Sequence, residues 1–252
     1  MMANVPSGFQ AAIFDVDGVL VDSPHEKAWR ESLRELMESE WRDLRDRTTW
    51  SPDAFTSDVY QREVSGKPRM SGARAALHRF RVPEADARAV EYADRKQAMV
   101  VRLIEAGDFS AFPDGLRFVV AVKDAGIRVA AASSSKNAAS YLSKISVAPG
   151  QSLLAFFDVD VSGRDFAHGK PHPEMFLTAA SELGAAPDRS FVVEDAAAGI
   201  EAAKAGAMAA LAVARSNDAD LLAAAHADLV VPTLDDVDVA ALCRGRLAIK
   251  AD

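Results

Sequence analysis

The sequence predicts an α/β protein: a doubly wound, mainly parallel sheet with an all-helical segment inserted after its first strand. Three observations predict it. From residue 112 onward, short apolar runs alternate with amphipathic helical stretches, the pattern of a parallel sheet covered by helices on both faces. Residues 23–109 carry helical periodicity but no run that reads as a buried strand. Charge divides the chain at the same place. Residues 23–109 hold 16 basic and 16 acidic side chains, so the remainder carries the whole net charge of −8.

Each element has its own local reason. The apolar run through Ile13 and Phe14 is the first strand, and it stops abruptly at Asp15-Val16-Asp17-Gly18. After Asp22, the residues Trp29, Leu33, Leu36, Met37 and Trp41 recur near a 3.6-residue spacing and predict a helix. Residues 42–58 are polar, with breaks at Thr48-Thr49 and Ser51-Pro52. Gly66-Lys67-Pro68-Arg69 reads as a turn, and helices are expected over 71–80 and 84–106. Phe112-Pro113-Asp114-Gly115 opens a helix over 115–125 that ends at Gly126. A strand over 127–132, a helix near 137–145 and an apolar stretch at 156–159 follow. Then come a helix over 173–183, a strand at 191–193, a helix over 196–205, and strands at 208–213 and 229–231. The predicted organisation is one α/β domain from 1–22 and 110–252, with a helical domain at 23–109.

Composition narrows the function classes. A chain of 252 residues, 49% hydrophobic and 26% charged, is ordinary for a globular protein. Its net negative charge speaks against nonspecific nucleic-acid binding. Cys243 is the single cysteine, which excludes an intrachain disulfide and a thiolate metal cluster. The N-terminus does not read as a signal peptide and no stretch reaches bilayer length, so no membrane partner is expected and the expected compartment is the cytoplasm. We expect a monomer.

Chemistry concentrates at the strand ends. In a strand, Asp15 and Asp17 project the same way, and two like charges placed together call for a cation, a shared proton or a reaction. Later strands end in Ser133-Ser134-Ser135-Lys136-Asn137 and in Glu194-Asp195, and Gly169-Lys170-Pro171 precedes a helix. A parallel sheet gathers the carboxyl ends of its strands on one edge. Such a set suits phosphoryl transfer. Carboxylates form a hard oxygen site for Mg²⁺, and a carboxylate can attack phosphorus. A lysine and hydroxyl or amide donors stabilise the transferring group, and a second carboxylate can move the proton. Singly, each residue has an ordinary reading: Asp-x-Asp-Gly as a turn, Lys170 as a solvated side chain, Ser133 as a cap, Glu194-Asp195 as helix N-terminal charge. Their joint occurrence at successive strand ends favours a site. An EF-hand loop does not fit, because its glycine position falls on Leu20. A dinucleotide site does not fit either, because carboxylates replace the glycine turn.

These residues resemble the four motifs of the haloacid dehalogenase superfamily. Asp15 to Asp22 is similar to the first motif, Ser133 to the second, Lys170-Pro171 to the third and Glu194-Asp195 to the fourth, in order, over nearly the whole chain. The resemblance implies a Rossmann-like core and a mobile helical cap. It implies Asp15 as nucleophile and Asp17 as general acid/base. It places Mg²⁺ on Asp15, Asp17 through its carbonyl, Glu194 and Asp195, with Ser133 and Lys170 on the phosphoryl oxygens. Within the superfamily the chain most resembles the β-phosphoglucomutase branch, on residues 133–137, Gly66-Lys67-Pro68-Arg69, Arg95-Lys96-Gln97 and His25. That implies His25, Arg69, Lys96, Ser135, Lys136 and Asn137 at the substrate. It also implies a small phosphorylated metabolite, a sugar phosphate, as substrate, and β-glucose 1,6-bisphosphate as activator. The alternatives are a phosphatase of a small sugar phosphate and a receiver-like signalling phosphoacceptor. The chain departs from the pattern at residues 40–60, which read as an extra cap segment. It departs also at Gly72, where a polar residue is expected, and at Gln97, where an asparagine is. Trp29, Trp41 and Trp50 are expected to pack rather than to bind sugar.

Overall fold

The computed structural model describes residues 8–216 and 218–251. They form two compact units: Ser23–Ser110 is one, and the chain before and after it is the other. Among the described residues, no helix is long and apolar enough to cross a membrane.

The helical unit contains α1 (His25–Glu38), α2 (Ser57–Glu63), α3 (Arg69–Arg79) and α4 (Ala85–Glu105). The spacing of Trp29, Leu33, Leu36 and Met37 puts all four on the buried face of α1. Trp29 meets Tyr92 of α4 edge-on, with ring centroids 5.0 Å apart. The Tyr92 hydroxyl donates to the Trp29 carbonyl at 2.8 Å. The polar stretch after α1 is more ordered than its composition suggests. It forms a 3₁₀ turn at Arg42–Arg47, then buries Trp50 and Phe55 in the same core as Trp41. Phe55 lies 5.7 Å from Phe80, and the Thr56 hydroxyl caps α2 by accepting from the Val59 N–H. Isolated aromatics between charges anchor this segment, each burial stabilising by roughly 1.5–3 kcal/mol. Periodicity does not register such anchors.

The other unit carries the predicted sheet. Its strands are β1 (Ala11–Phe14), β2 (Arg128–Ala131), β3 (Val159–Asp160), β4 (Ser190–Glu194), β5 (Ala209–Val213) and β6 (Leu229–Val231). Their order is β6-β5-β4-β1-β2-β3, with every adjacent pair parallel. Helices α5 (Pro113–Asp124), α6 (Ala138–Lys144), α7 (Glu174–Glu182), α8 (Ala197–Ala205) and α9 (Ala219–Ala224) belong to the same unit. Because both faces are covered, β1 is apolar without alternation and fully buried. Ile13, Val192 and Ala210 pack with Phe176 and Ile200 in one core.

The apolar stretch at 156–159 is only half strand. Phe156 closes a helical turn that starts at Leu153, and β3 begins at Val159. Asp158 explains the break. Its carboxylate accepts from the Val129 N–H and from Lys123, each at 2.8 Å, so its side chain takes a place that ladder bonding would fill.

Register decides what meets at the sheet edge. Phe14 is level with Val193 on one side and Ala131 on the other. The next residues out are Asp15, Glu194 and the Ala132-Ser133 pair. Strand order reverses at β1, which lies between β4 and β2. The carboxyl side of such a switch point is where open α/β sheets bind ligands.

Candidate functional site

Three carboxylates and one ammonium meet beyond β1 and β4. The Lys170 Nζ donates to Asp15 Oδ1 at 2.6 Å and to Glu194 Oε1 at 2.5 Å, and the Lys170 side chain is 1% exposed. Glu194 also accepts through Oε2 from the N–H groups of Asp195 and Ala196, at 2.9 and 3.0 Å. Asp15, Glu194 and Asp195 are all buried, and one oxygen of each lies within 4.8 Å of the others. Ser133 joins from the β2 side, its hydroxyl donating to Asp17 Oδ2 at 3.2 Å.

Two glycines make this crowding possible. A Cβ on Gly18, which has φ +84°, would stand 1.9 Å from Asp195 Oδ2; a Cβ on Gly199 would stand 1.8 Å from Glu194 Oε1. Asp195 is thus pressed against the turn that follows Asp17, and Glu194 against the first turn of α8. Gly18 is visible in the sequence as part of Asp-x-Asp-Gly. Gly199 gives no local signal, because it lies inside an alanine-rich helix and its reason is a side chain from the preceding strand.

Electrostatics show what the arrangement requires. Burial, reinforced by Glu194 and Asp17, pushes Asp15 up to about 8 against the pull of Lys170. Burial, with Glu194 and Asp15, likewise raises Asp195 well above the carboxylate range. Burial alone would lower Lys170, but Asp15 and Glu194 outweigh it and keep the ammonium charged. One cation is too little for so many buried carboxylates. A hard divalent ion with oxygen ligands answers that deficit, and the donor set fits Mg²⁺.

The remaining sequence-selected residues fall in two groups. In the strand-end loop, the Ser133 hydroxyl accepts from the Ser135 N–H and the Ser135 hydroxyl from the Asn137 N–H, so both serines shape the loop. Lys136 is exposed and pairs with Asp165 at 2.5 Å. In the helical unit, Lys96 and His25 come together. Both are buried, with Nζ 3.4 Å from His25 Nδ1 and 4.9 Å above the Trp29 ring. Arg69 is exposed and is the first residue of α3. Outside these groups, His168 faces the Glu174 carboxylate and stacks on His172. The His172 ring accepts at Nδ1 from the Glu174 N–H.

The family profile of haloacid dehalogenase-like hydrolases matches residues 9–206. The chain belongs to that family. It is 32% identical over 253 residues to a β-phosphoglucomutase of Mycobacterium tuberculosis, an alignment that covers 93% of each chain. It is 28% identical to a phosphorylated carbohydrates phosphatase of Thermotoga maritima, over 77% of this chain and 80% of that one. Among solved structures, an archaeal β-phosphoglucomutase from Pyrococcus sp. strain ST 04 superposes with a TM-score of 0.70 at 31% identity. That match covers 92% of this chain and 96% of the other. The chain is accordingly a phosphoryl-transfer enzyme.

Proposed function

We propose that the enzyme is a Mg²⁺-dependent β-phosphoglucomutase that converts β-glucose 1-phosphate to glucose 6-phosphate through the 1,6-bisphosphate. The buried set of Asp15, Lys170, Glu194 and Asp195 supports phosphoryl transfer, and the observation that carries the choice of a mutase is similarity to β-phosphoglucomutases over more than nine-tenths of the chain.

In the proposed mechanism a carboxylate oxygen of Asp15 forms a bond to phosphorus as the donor's P–O ester bond breaks. Asp17 gives its proton to the departing sugar oxygen. In the return step, Asp17 takes the proton of the acceptor hydroxyl, whose oxygen attacks phosphorus and frees the Asp15 carboxylate. Lys170 and the Ser133 hydroxyl hold phosphoryl oxygens. Mg²⁺ would be held by Asp15, the Asp17 carbonyl, Glu194 and Asp195, and when bound it neutralises charge on the transferring group.

Lys96 is our candidate for the contact that orients the sugar, with His25 and Arg69 as its neighbours in role. Replacement of Lys96 by alanine is expected to slow sugar-phosphate isomerisation by about 10²-fold. Hydrolysis of p-nitrophenyl phosphate should change little, because that small ester needs only the carboxylate site. Equal isomerisation rates would remove Lys96 from the mechanism.

A phosphatase of a sugar phosphate is the second reading, and Gly72 favours it. Where the mutase pattern has a polar side chain, Gly72 leaves only close packing: a Cβ there would lie 3.2 Å from Val64 and 3.4 Å from the Trp29 ring. Incubation with Mg²⁺, β-glucose 1-phosphate and catalytic β-glucose 1,6-bisphosphate decides between them. Glucose 6-phosphate without matching free phosphate is the expected product. Stoichiometric free phosphate would establish the phosphatase instead.

A further inference from the structure

We propose that Arg215 is a positioning residue for phosphoryl transfer, holding the turn that carries Asp15 and Asp17 in register with the rest of the site. The proposal rests on the reading of Asp15 and Asp17 as the reacting carboxylates.

The turn after Asp17 is tight. The Gly18 N–H donates to the Val21 carbonyl, and the N–H groups of Leu20 and Val21 both donate to the Val16 carbonyl. That pattern leaves the carbonyls of Gly18, Val19 and Leu20 needing donors from outside the turn. Arg215, just past the end of β5, supplies two of them. Its Nε donates to the Gly18 carbonyl at 2.9 Å and its Nη2 to the Val19 carbonyl at 3.0 Å. The Phe112 N–H supplies the third, to Leu20, at 2.9 Å.

The guanidinium is itself held on its remaining sides. Its Nη1 donates to Asp114 Oδ2 at 2.8 Å, and its Cζ lies over the Phe112 ring, 4.0 Å from the centroid. Asp114 Oδ2 also accepts from the Thr233 hydroxyl and the Leu234 N–H. Burial works against this carboxylate, yet the Arg215 and Leu234 bonds outweigh burial and hold it below the usual range. Arg215 and Asp114 are largely buried, with side chains 14% and 9% exposed. The α5 residue next to Asp114 closes the same contact, because a Cβ on Gly115 would stand 2.6 Å from the Val19 carbonyl.

A planar fork with donors in three directions is what this place uses. Lysine would keep the charge but lose the fork. Arg215 grips the Gly18–Val19 and Val19–Leu20 peptides, the first of them one residue beyond Asp17, so slack there would shift both the Asp17 side chain and its carbonyl.

The test compares Arg215→Lys and Asp114→Asn with the wild type and with Arg117→Met. Arg117 is an exposed α5 residue paired with Asp235, so its loss controls for removing a nearby ion pair. With p-nitrophenyl phosphate, kcat of Arg215→Lys is expected to fall about 10- to 100-fold, with KM within about threefold. The Mg²⁺ dissociation constant, read by calorimetry, should rise about tenfold. Asp114→Asn should act in the same direction, the double variant should be no worse than Arg215→Lys alone, and Arg117→Met should match the wild type. Wild-type kcat and Mg²⁺ affinity in a folded Arg215→Lys would overturn the proposal. So would losses that only follow the folded fraction and vanish on cooling the assay. A wild type that hydrolyses the aryl ester without isomerising sugar phosphate removes the mutase reading and leaves this comparison standing.

Discussion

Asp15→Asn is expected to lower turnover by at least about 10³-fold, on sugar phosphates and aryl phosphate alike. The amide matches the carboxyl in shape and its oxygen can still accept from Lys170, but it cannot bond to phosphorus as a nucleophile. Stability should move separately from activity. The position is buried, and burial with neighbouring carboxylates already pushes Asp15 up to about 8 in the metal-free protein. A neutral amide therefore suits the site, and the metal-free melting temperature should stay within a few degrees of wild type, about what 1 kcal/mol shifts it. Stopped-flow or steady-state release of p-nitrophenol with a parallel melting curve checks both halves. Substantial residual turnover would end the assignment of Asp15 as nucleophile.

Lys170→Met is expected to be the most damaging single change to the α/β unit. It removes the ammonium that lies between Asp15 and Glu194 and leaves buried carboxylates facing one another. Breaking a buried pair from one side costs about 3–5 kcal/mol. In a chain of this size that corresponds to a fall of roughly 6–20 °C in melting temperature. Methionine keeps the length and the contact with Phe176, whose ring lies 5.0 Å from Nζ, so the loss reports charge rather than volume. Added Mg²⁺ should recover part of the stability, since the cation answers the same deficit. A variant that melts like the wild type, with and without Mg²⁺, would show that the carboxylates do not depend on this lysine.

The site was legible to different depths. Asp15 and Asp17 announce themselves, because two carboxylates at the end of an apolar strand are unusual in one short window. Glu194-Asp195 and Lys170 are each ordinary alone, and only the β–α alternation around them places them on one edge. Arg215, Asp114 and Gly199 gave no signal. Arg215 stands 197 residues from the Gly18 carbonyl it serves, and its neighbours in sequence say nothing about a turn at the other end of the chain. The 40–60 segment was legible only as an insertion, since its packing rests on single aromatics and not on a period. The stretch at 156–159 read as apolar, while the side chain of Asp158 set where β3 begins.

Local sequence determined the element types, the parallel α/β class and the chemical character of the strand ends. It could do so because propensity, periodicity and the abrupt end of an apolar run are properties of neighbouring residues. Register and strand order decided the rest. Placing Phe14 level with Val193 and Ala131 turns scattered acids into a buried cluster around one ammonium. The charge deficit that fits a divalent cation exists only at that proximity, because burial and Coulomb repulsion act through space and not along the chain.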